Sequence, residues 1–262
     1  MSVAWVLPDW PALRPVRALS TFRTGGTSAA PYASLNLGCH VGDLREAVAE
    51  NRRRLGAAAG LPAEPVWLEQ VHGSHVADLD AVPDPAGAAH PSGARLVGPA
   101  DAAFTRRPGR VCAILTADCL PVLLAADSGD LVAAAHAGWR GIASGVIEAA
   151  VSAVTAAGAV SPGRFLAWLG PAIGPRHFEI GAEVREALLA GDPGAEAAFV
   201  PNPRGRFMAD LPALARRRLE ALGIERIYGG GECTFDAADR YFSHRRDGVT
   251  GRQATMIWLE SR

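Results

Sequence analysis

The hydrophobic pattern along the chain has two periods. Short apolar runs bounded by Gly, Pro, Asp or Ser predict strands at 14–22, 66–69, 76–80, 102–105, 111–116, 122–126, 131–136, 165–169, 226–228 and 255–259. Longer stretches with apolar residues three and four apart predict helices at 43–60, 141–158, 182–190 and 211–222. The stripe in the first is Leu44, Val48 and Leu55, and in the last Leu211, Leu214, Leu219 and Leu222. The 141–158 helix carries Ile142, Val146, Ala149, Ala150 and Ala153 on one face and follows the strand ending at His136 with almost no loop. The Arg triplets 52–54 and 216–218 read as the solvated faces of two of these helices.

Strands and helices are interspersed without strict alternation. That order predicts an α/β or α+β layered architecture with mixed sheets, not a doubly wound parallel one. Residues 81–100 are rich in Ala, Gly and Pro and read as a long surface loop. They do not divide the chain, because candidate site residues fall on both sides, and 1–262 is expected to form a single domain.

The apolar runs do not account for the residues at their ends. Asp118-Cys119 opens one run, and His136 closes the next, just before Gly-Trp-Arg-Gly. His72 follows the run VWLEQV in the same way. Adjacent strands of one sheet would bring His72, Cys119 and His136 together. A His2Cys set leaves a tetrahedral zinc one ligand short, the pattern of a catalytic site, and the same donors suit copper. The plainer alternative makes Cys119 a small buried hydrophobe and His136 a satisfied core histidine. Asp118 is a candidate general acid or base, or the partner that orients a ligand imidazole. Arg140, at a helix start, is a candidate for holding phosphate or carboxylate. GPAIGP, 170–175, follows a strand and suits a pocket rim. His75 lies three residues after His72 and faces away from it on an extended segment.

Composition narrows the chemistry. With 26 basic and 27 acidic residues there is no field to gather nucleic acid or an anionic membrane. Every one of those basic residues is Arg, which excludes a Schiff-base lysine and a Gly-Lys-Ser/Thr phosphate loop. The amino terminus lacks an apolar signal core, and no run is long enough to span a membrane. Four cysteines without CxxC spacing suit reduced thiols, so the cytoplasm is the expected compartment. The zinc-deaminase signature, HExxH, GxSxG and a strand-borne GxGxxG are all absent.

Five stretches, LEQVHGSHV, TADCLPVLL, AAAHAGWRGI, WLGPAIGP and YFSHRRDGVTGRQATMIWL, together resemble one family across essentially the whole chain. It is the laccase-domain or multicopper polyphenol oxidase family, now largely described as purine nucleoside phosphorylases. SLNLGCHVGD, with Asn36, and CTF, with Cys233, fit the same resemblance. The resemblance implies an α/β/β/α-type layered domain similar to the catalytic domain of cytotoxic necrotizing factor toxins. It implies a metal triad at the positions of His72, Cys119 and His136. It also implies phosphorolysis of adenosine, inosine, guanosine and methylthioadenosine, with adenosine deamination, on zinc. Asn36 is then an expected substrate-binding residue, and nucleoside and phosphate the expected partners.

Four-electron laccase chemistry needs a trinuclear copper cluster and many histidines, usually in His-x-His pairs. This chain has seven histidines and no such pair. A copper-dependent polyphenol oxidase therefore stands as an alternative. So does a metal-free Cys119/His136 amide hydrolase acting on a peptidoglycan precursor.

Overall fold

In a computed structural model that describes residues 2–82 and 96–261, two sheets stack face to face and each carries helices on its outer side. Most of the 81–100 loop lies outside the described residues. The larger sheet runs, in spatial order, Arg226–Gly229, Phe165–Leu169, Leu120–Ala126, Val132–Ala137, Ala102–Thr105 and Val76–Asp78. Its two outermost pairs are parallel and its inner pairs antiparallel, so the sheet is mixed. The smaller sheet is antiparallel throughout, in the order Trp5–Val6, Val16–Thr21, Gln253–Leu259 and Val111–Thr116.

Alternation along each strand decides which layer a side chain joins. From Leu120–Ala126, the side chains of Leu120, Val122 and Leu124 meet Val146, Ile147, Val151, Leu214 and Leu219 of the outer helices. Leu123 and Ala125 point the other way, into the slab between the sheets, where they meet Cys112, Ile114, Ile257 and Leu259. Val111, Ala113, Met256 and Trp258 face outward again, toward Leu55 of the helix Arg45–Ala59. The layers are therefore helix, sheet, sheet, helix, as the resemblance implied. Strands covered on both faces have no polar side to show, hence their unbroken apolar runs.

The predicted strands are all present with bounds shifted by a few residues. Leu120–Ala126 begins earlier than expected because Pro121, which cannot donate to a ladder, still pairs with His136. Short strands at Trp5–Val6, Leu96–Val97, Glu179–Ile180, Phe199–Pro201 and Phe207–Ala209 were not legible in the pattern. The helix expected at 141–158 is instead two helices, Trp139–Ala143 and Val146–Gly158. Gly145 separates them at φ 82°, a left-handed conformation that a helix interior cannot contain. Among the described residues, no helix is long and apolar enough to cross a membrane.

The expectation of a solvated Arg52–Arg54 triplet is corrected. Arg53 and Arg54 do pair with Glu50 at the surface. Arg52 is buried, its guanidinium 3.9 Å from the Trp67 ring centroid. Its Nε and Nη2 both donate to the Leu37 carbonyl, at 3.1 and 2.8 Å. In the second triplet Arg217 is exposed and pairs with Asp192, whereas Arg218 reaches inward to Glu148 and the Leu188 and Gly191 carbonyls. Arg52→Ala removes a buried charged hydrogen bond and a desolvated cation–π contact together, and is expected to cost roughly 2–4 kcal/mol. Arg53→Ala is expected to leave the denaturation midpoint in place; urea titration of both variants checks the contrast.

Candidate functional site

The sheet register brings the site together. His136 stands near the end of Val132–Ala137, opposite Pro121. Asp118-Cys119, immediately before Leu120–Ala126, therefore lies at the same sheet end as His136. On the other side Ala102 pairs with Ala135, and the Asp101 carbonyl accepts the His136 backbone N–H at 2.7 Å. His72 arrives from the loop that precedes Val76–Asp78. One ligand atom from each of His72, Cys119 and His136 lies within 4.8 Å of the others. His72 Nε2 is 4.0 Å from Cys119 Sγ, and the two imidazoles meet edge to face with centroids 4.7 Å apart.

Asp101 is the residue behind this geometry. It is fully buried, and each of its carboxylate oxygens accepts two bonds. Oδ1 takes His136 Nδ1 at 2.8 Å and the His72 backbone N–H at 3.0 Å. Oδ2 takes the backbone N–H groups of Val71 at 3.1 Å and Gly73 at 2.7 Å. One carboxylate thus wraps the His72 loop and orients the His136 ring, leaving Nε2 of His136 to face Cys119. The wrap also accommodates His72 at φ 61°, a backbone region sparsely used outside glycine. Gln70 secures the other end of the loop: its amide exchanges two bonds with the Leu115 backbone, at 2.9 and 2.8 Å.

The electrostatics follow from the packing. Burial alone would raise the Asp101 carboxyl, but the bonds from His136, Gly73 and Val71 outweigh it and hold the group below the usual range. Burial would likewise raise the Cys119 thiol, yet His136, by charge and hydrogen bond, and then His72 bring it down to about 6. His136 responds in kind: burial pushes it down, and Cys119 and Asp101 together carry it up to about 9. The metal-free pair is therefore thiolate and imidazolium. Cys112, enclosed between the sheets, is pushed far up by burial and stays a neutral thiol.

The three donors fit a borderline-soft metal ion: one readily ionised sulfur, one exposed imidazole, and one buried imidazole oriented from behind. Gly138 is part of the fit. A Cβ there would stand 2.8 Å from Cys119 Sγ, so only glycine lets the chain pass this close to the thiol.

Other predicted site residues are placed differently. Asp118 makes no bond to either imidazole; the carboxylate on the His136 ring is that of Asp101. The Asp118 carboxylate accepts Thr234 Oγ1 at 2.7 Å and the Arg245 N–H at 2.7 Å, and it ties distant loops to the Cys119 turn. Asn36 is buried with its amide saturated by protein partners. It donates to Gly38 O and Asp43 Oδ2 and accepts from the backbone of Gly38 and Arg252. Arg140 is exposed, its guanidinium over the Trp139 ring at 4.3 Å. His75 is exposed, and its carbonyl accepts the backbone N–H groups of Asp101 and Ala102. The 170–175 loop borders the site, with Ile173 donating to the Asp118 carbonyl at 2.9 Å.

Sequence reasoning missed Asp101 and Arg252. Asp101 looks like any acid before an apolar strand, and only the sheet register reveals its partners. Burial holds the Arg252 guanidinium below the usual range, partly offset by the charges of Cys119 and Asp118. In the metal-free protein, Cys119 is expected to alkylate with a pH midpoint of about 6, while Cys112 stays unmodified until the chain unfolds. Mass-spectrometric mapping of iodoacetamide adducts against pH measures this, and a midpoint near that of a free thiol would refute the thiolate–imidazolium pair.

The match to known proteins covers nearly the whole chain. Residues 17–260 match the family model described as multi-copper polyphenol oxidoreductase laccase. The protein named purine nucleoside phosphorylase YfiH of Escherichia coli is 50% identical over 254 residues, covering 97% of this chain and 98% of that one. A purine nucleoside phosphorylase of Pseudomonas aeruginosa is 51% identical over 259 residues, covering 98% and 99%. Among solved structures, a Neisseria meningitidis protein superposes with a TM-score of 0.87 at 43% identity, covering 98% of this chain and 99% of its own. YlmD from Geobacillus stearothermophilus gives 0.90 at 33%, covering 98% and 96%. With a family model spanning the chain and relatives at half identity along its length, the chain belongs to the multi-copper polyphenol oxidoreductase laccase family.

Proposed function

We propose that this chain is a metal-dependent purine nucleoside phosphorylase whose reaction takes place at His72, Cys119 and His136, within one domain. The observation that carries the reading is the convergence of these three side chains on one point, oriented by a buried carboxylate, in a chain half identical to proteins named for that activity. Zinc, or copper in its place, would be held by His72, Cys119 and His136 and would supply a Lewis acid. Asp101 fixes His136 with Nδ1 turned inward and Nε2 outward, and holds the His72 loop in its left-handed turn. Arg140 and Arg252 are the cations offered to phosphate. Asn36 acts at one remove, by holding the Arg252 backbone.

In phosphorolysis a phosphate oxygen forms a bond to ribose C1′ as the bond from C1′ to the purine nitrogen breaks, and the base departs with a proton. Adenosine, inosine, guanosine and methylthioadenosine are the proposed substrates. Adenosine deamination at the same site replaces the 6-amino group with water oxygen and releases ammonia. The cytoplasm, where phosphate and nucleosides are abundant, is the proposed location.

The competing reading is a cysteine hydrolase, and it rests on the same thiolate–imidazolium pair. A polyphenol oxidase running on one copper is weaker, because the family's multi-copper label asks for ligands that seven histidines without a His-x-His pair do not supply.

Purified protein loaded with zinc is expected to release adenine from adenosine only when phosphate is present, and to stop after chelation. Amide hydrolysis that survives chelation but not thiol alkylation would overturn the phosphorylase reading in favour of the hydrolase. Asp101→Asn substitutes an amide donor where N–H groups point. It is expected to weaken zinc affinity and kcat/KM each by on the order of 10–100-fold while the fold persists. Zinc titration and adenine release, read alongside circular dichroism, test this.

A further inference from the structure

A second group of donors stands outside the site just described. His177, Cys233 and Asp236 each offer one ligand atom, and the three atoms lie within 4.8 Å of one another. We propose that this group is a second metal site, selective for a thiophilic divalent cation such as zinc.

The donors come from two loops that the backbone holds side by side. Ala172 bridges Cys233 in parallel register. Ala172 donates to the Glu232 carbonyl at 3.2 Å and accepts from the Thr234 N–H at 2.9 Å. Each side chain is then held in place. The Gly174 N–H points at Cys233 Sγ from 3.3 Å. The His177 ring lies flat on Phe235, 4.1 Å between centroids and 12° between planes. The backbone of His177 is pinned by Gly174 O, which accepts its N–H at 3.0 Å, and by Arg245 Nη1, which donates to its carbonyl at 3.2 Å. His177 Nε2 and Asp236 Oδ1 already meet at 2.7 Å. Thiolate, imidazole and carboxylate together suit zinc, and three protein donors leave a fourth position to solvent.

One contact opposes a cation. Arg176 Nη2 lies 2.7 Å from Asp236 Oδ2. The Arg176 side chain is 81% exposed, so it is free to swing into water, and it occupies the carboxylate oxygen that His177 does not. The cluster is also coupled to the first site through protein. Thr234, next to Cys233, donates to the carboxylate of Asp118, next to Cys119. A cation here would clamp the two loops that border the Cys119 turn.

The test is cobalt(II) titration of the full-length chain, read by thiolate-to-cobalt charge-transfer absorption. Wild-type protein is expected to bind about two cobalt ions per chain. Cys119→Ser removes the sulfur of the first site, so any thiolate absorption left reports the second. That absorption is expected to persist in Cys119→Ser, to vanish in Cys119→Ser/Cys233→Ser, and to be displaced by zinc. Asp236→Asn in the Cys119→Ser background, at an exposed position, is expected to weaken cobalt affinity ~10-fold or more without unfolding the chain. A Cys119→Ser protein with no thiolate absorption would overturn the second site, as would absorption that survives in the double variant. Failure of the first site alone would leave the Cys233 signal standing.

Discussion

A buried carboxylate with four hydrogen bonds holds this molecule's chemistry in register. Asp101 sits at the start of a sheet strand, and its own backbone carbonyl is part of the ladder to His136. Its side chain then does two jobs at once, gathering the backbone of residues 71–73 and holding a ring nitrogen of His136. An isolated carboxylate at zero exposure would be prohibitive in an apolar interior. With every lone pair engaged it becomes the anchor for its surroundings. A left-handed His72 is sustainable for the same reason, since three consecutive N–H groups converge on one charge.

Around that anchor, the two stacked sheets supply rigidity. The central strands of the larger sheet are apolar on both faces, so register slippage would expose or clash residues in two layers at once. The polar groups of the site stand at strand ends or in the turns beside them, where the chain leaves the larger sheet. This accounts for the oddity of acids, thiol, imidazole and guanidinium bracketing runs that are otherwise mostly apolar. The sandwich needs the interior of each run for burial, and only the tips remain for chemistry.

The thiols show how little residue type says without its surroundings. Cys112 and Cys119 are seven positions apart, the first on the strand Val111–Thr116 and the second in the turn that leads into Leu120–Ala126. Burial between the sheets makes the first an inert packing residue, while two imidazoles make the second an anion near neutrality. Cys233 is different again, paired with a backbone N–H and a surface carboxylate–imidazole couple on the far side of the Asp118–Thr234 bond.

Much was legible in the amino-acid sequence. Apolar runs marked the strands, and the 3.6-residue stripes marked the outer helices, because burial on both faces or on one leaves a direct record in residue type. His72, Cys119 and His136 were legible because a ligand-type residue at the tip of a buried strand has few structural reasons to be there. What was not legible depended on partners far along the chain. Asp101 and Asp118 are both acids beside apolar strands, and nothing in the amino-acid sequence tells their partners apart. Only the order of strands places Asp101 behind His136 and sends Asp118 to Thr234 and Arg245. Arg52 reads as a solvated helix charge until Trp67 and the Leu37 carbonyl enclose it. Composition and periodicity record how much of each segment meets water, whereas hydrogen-bond partners are set by register between strands. That register exists only in the folded sheet.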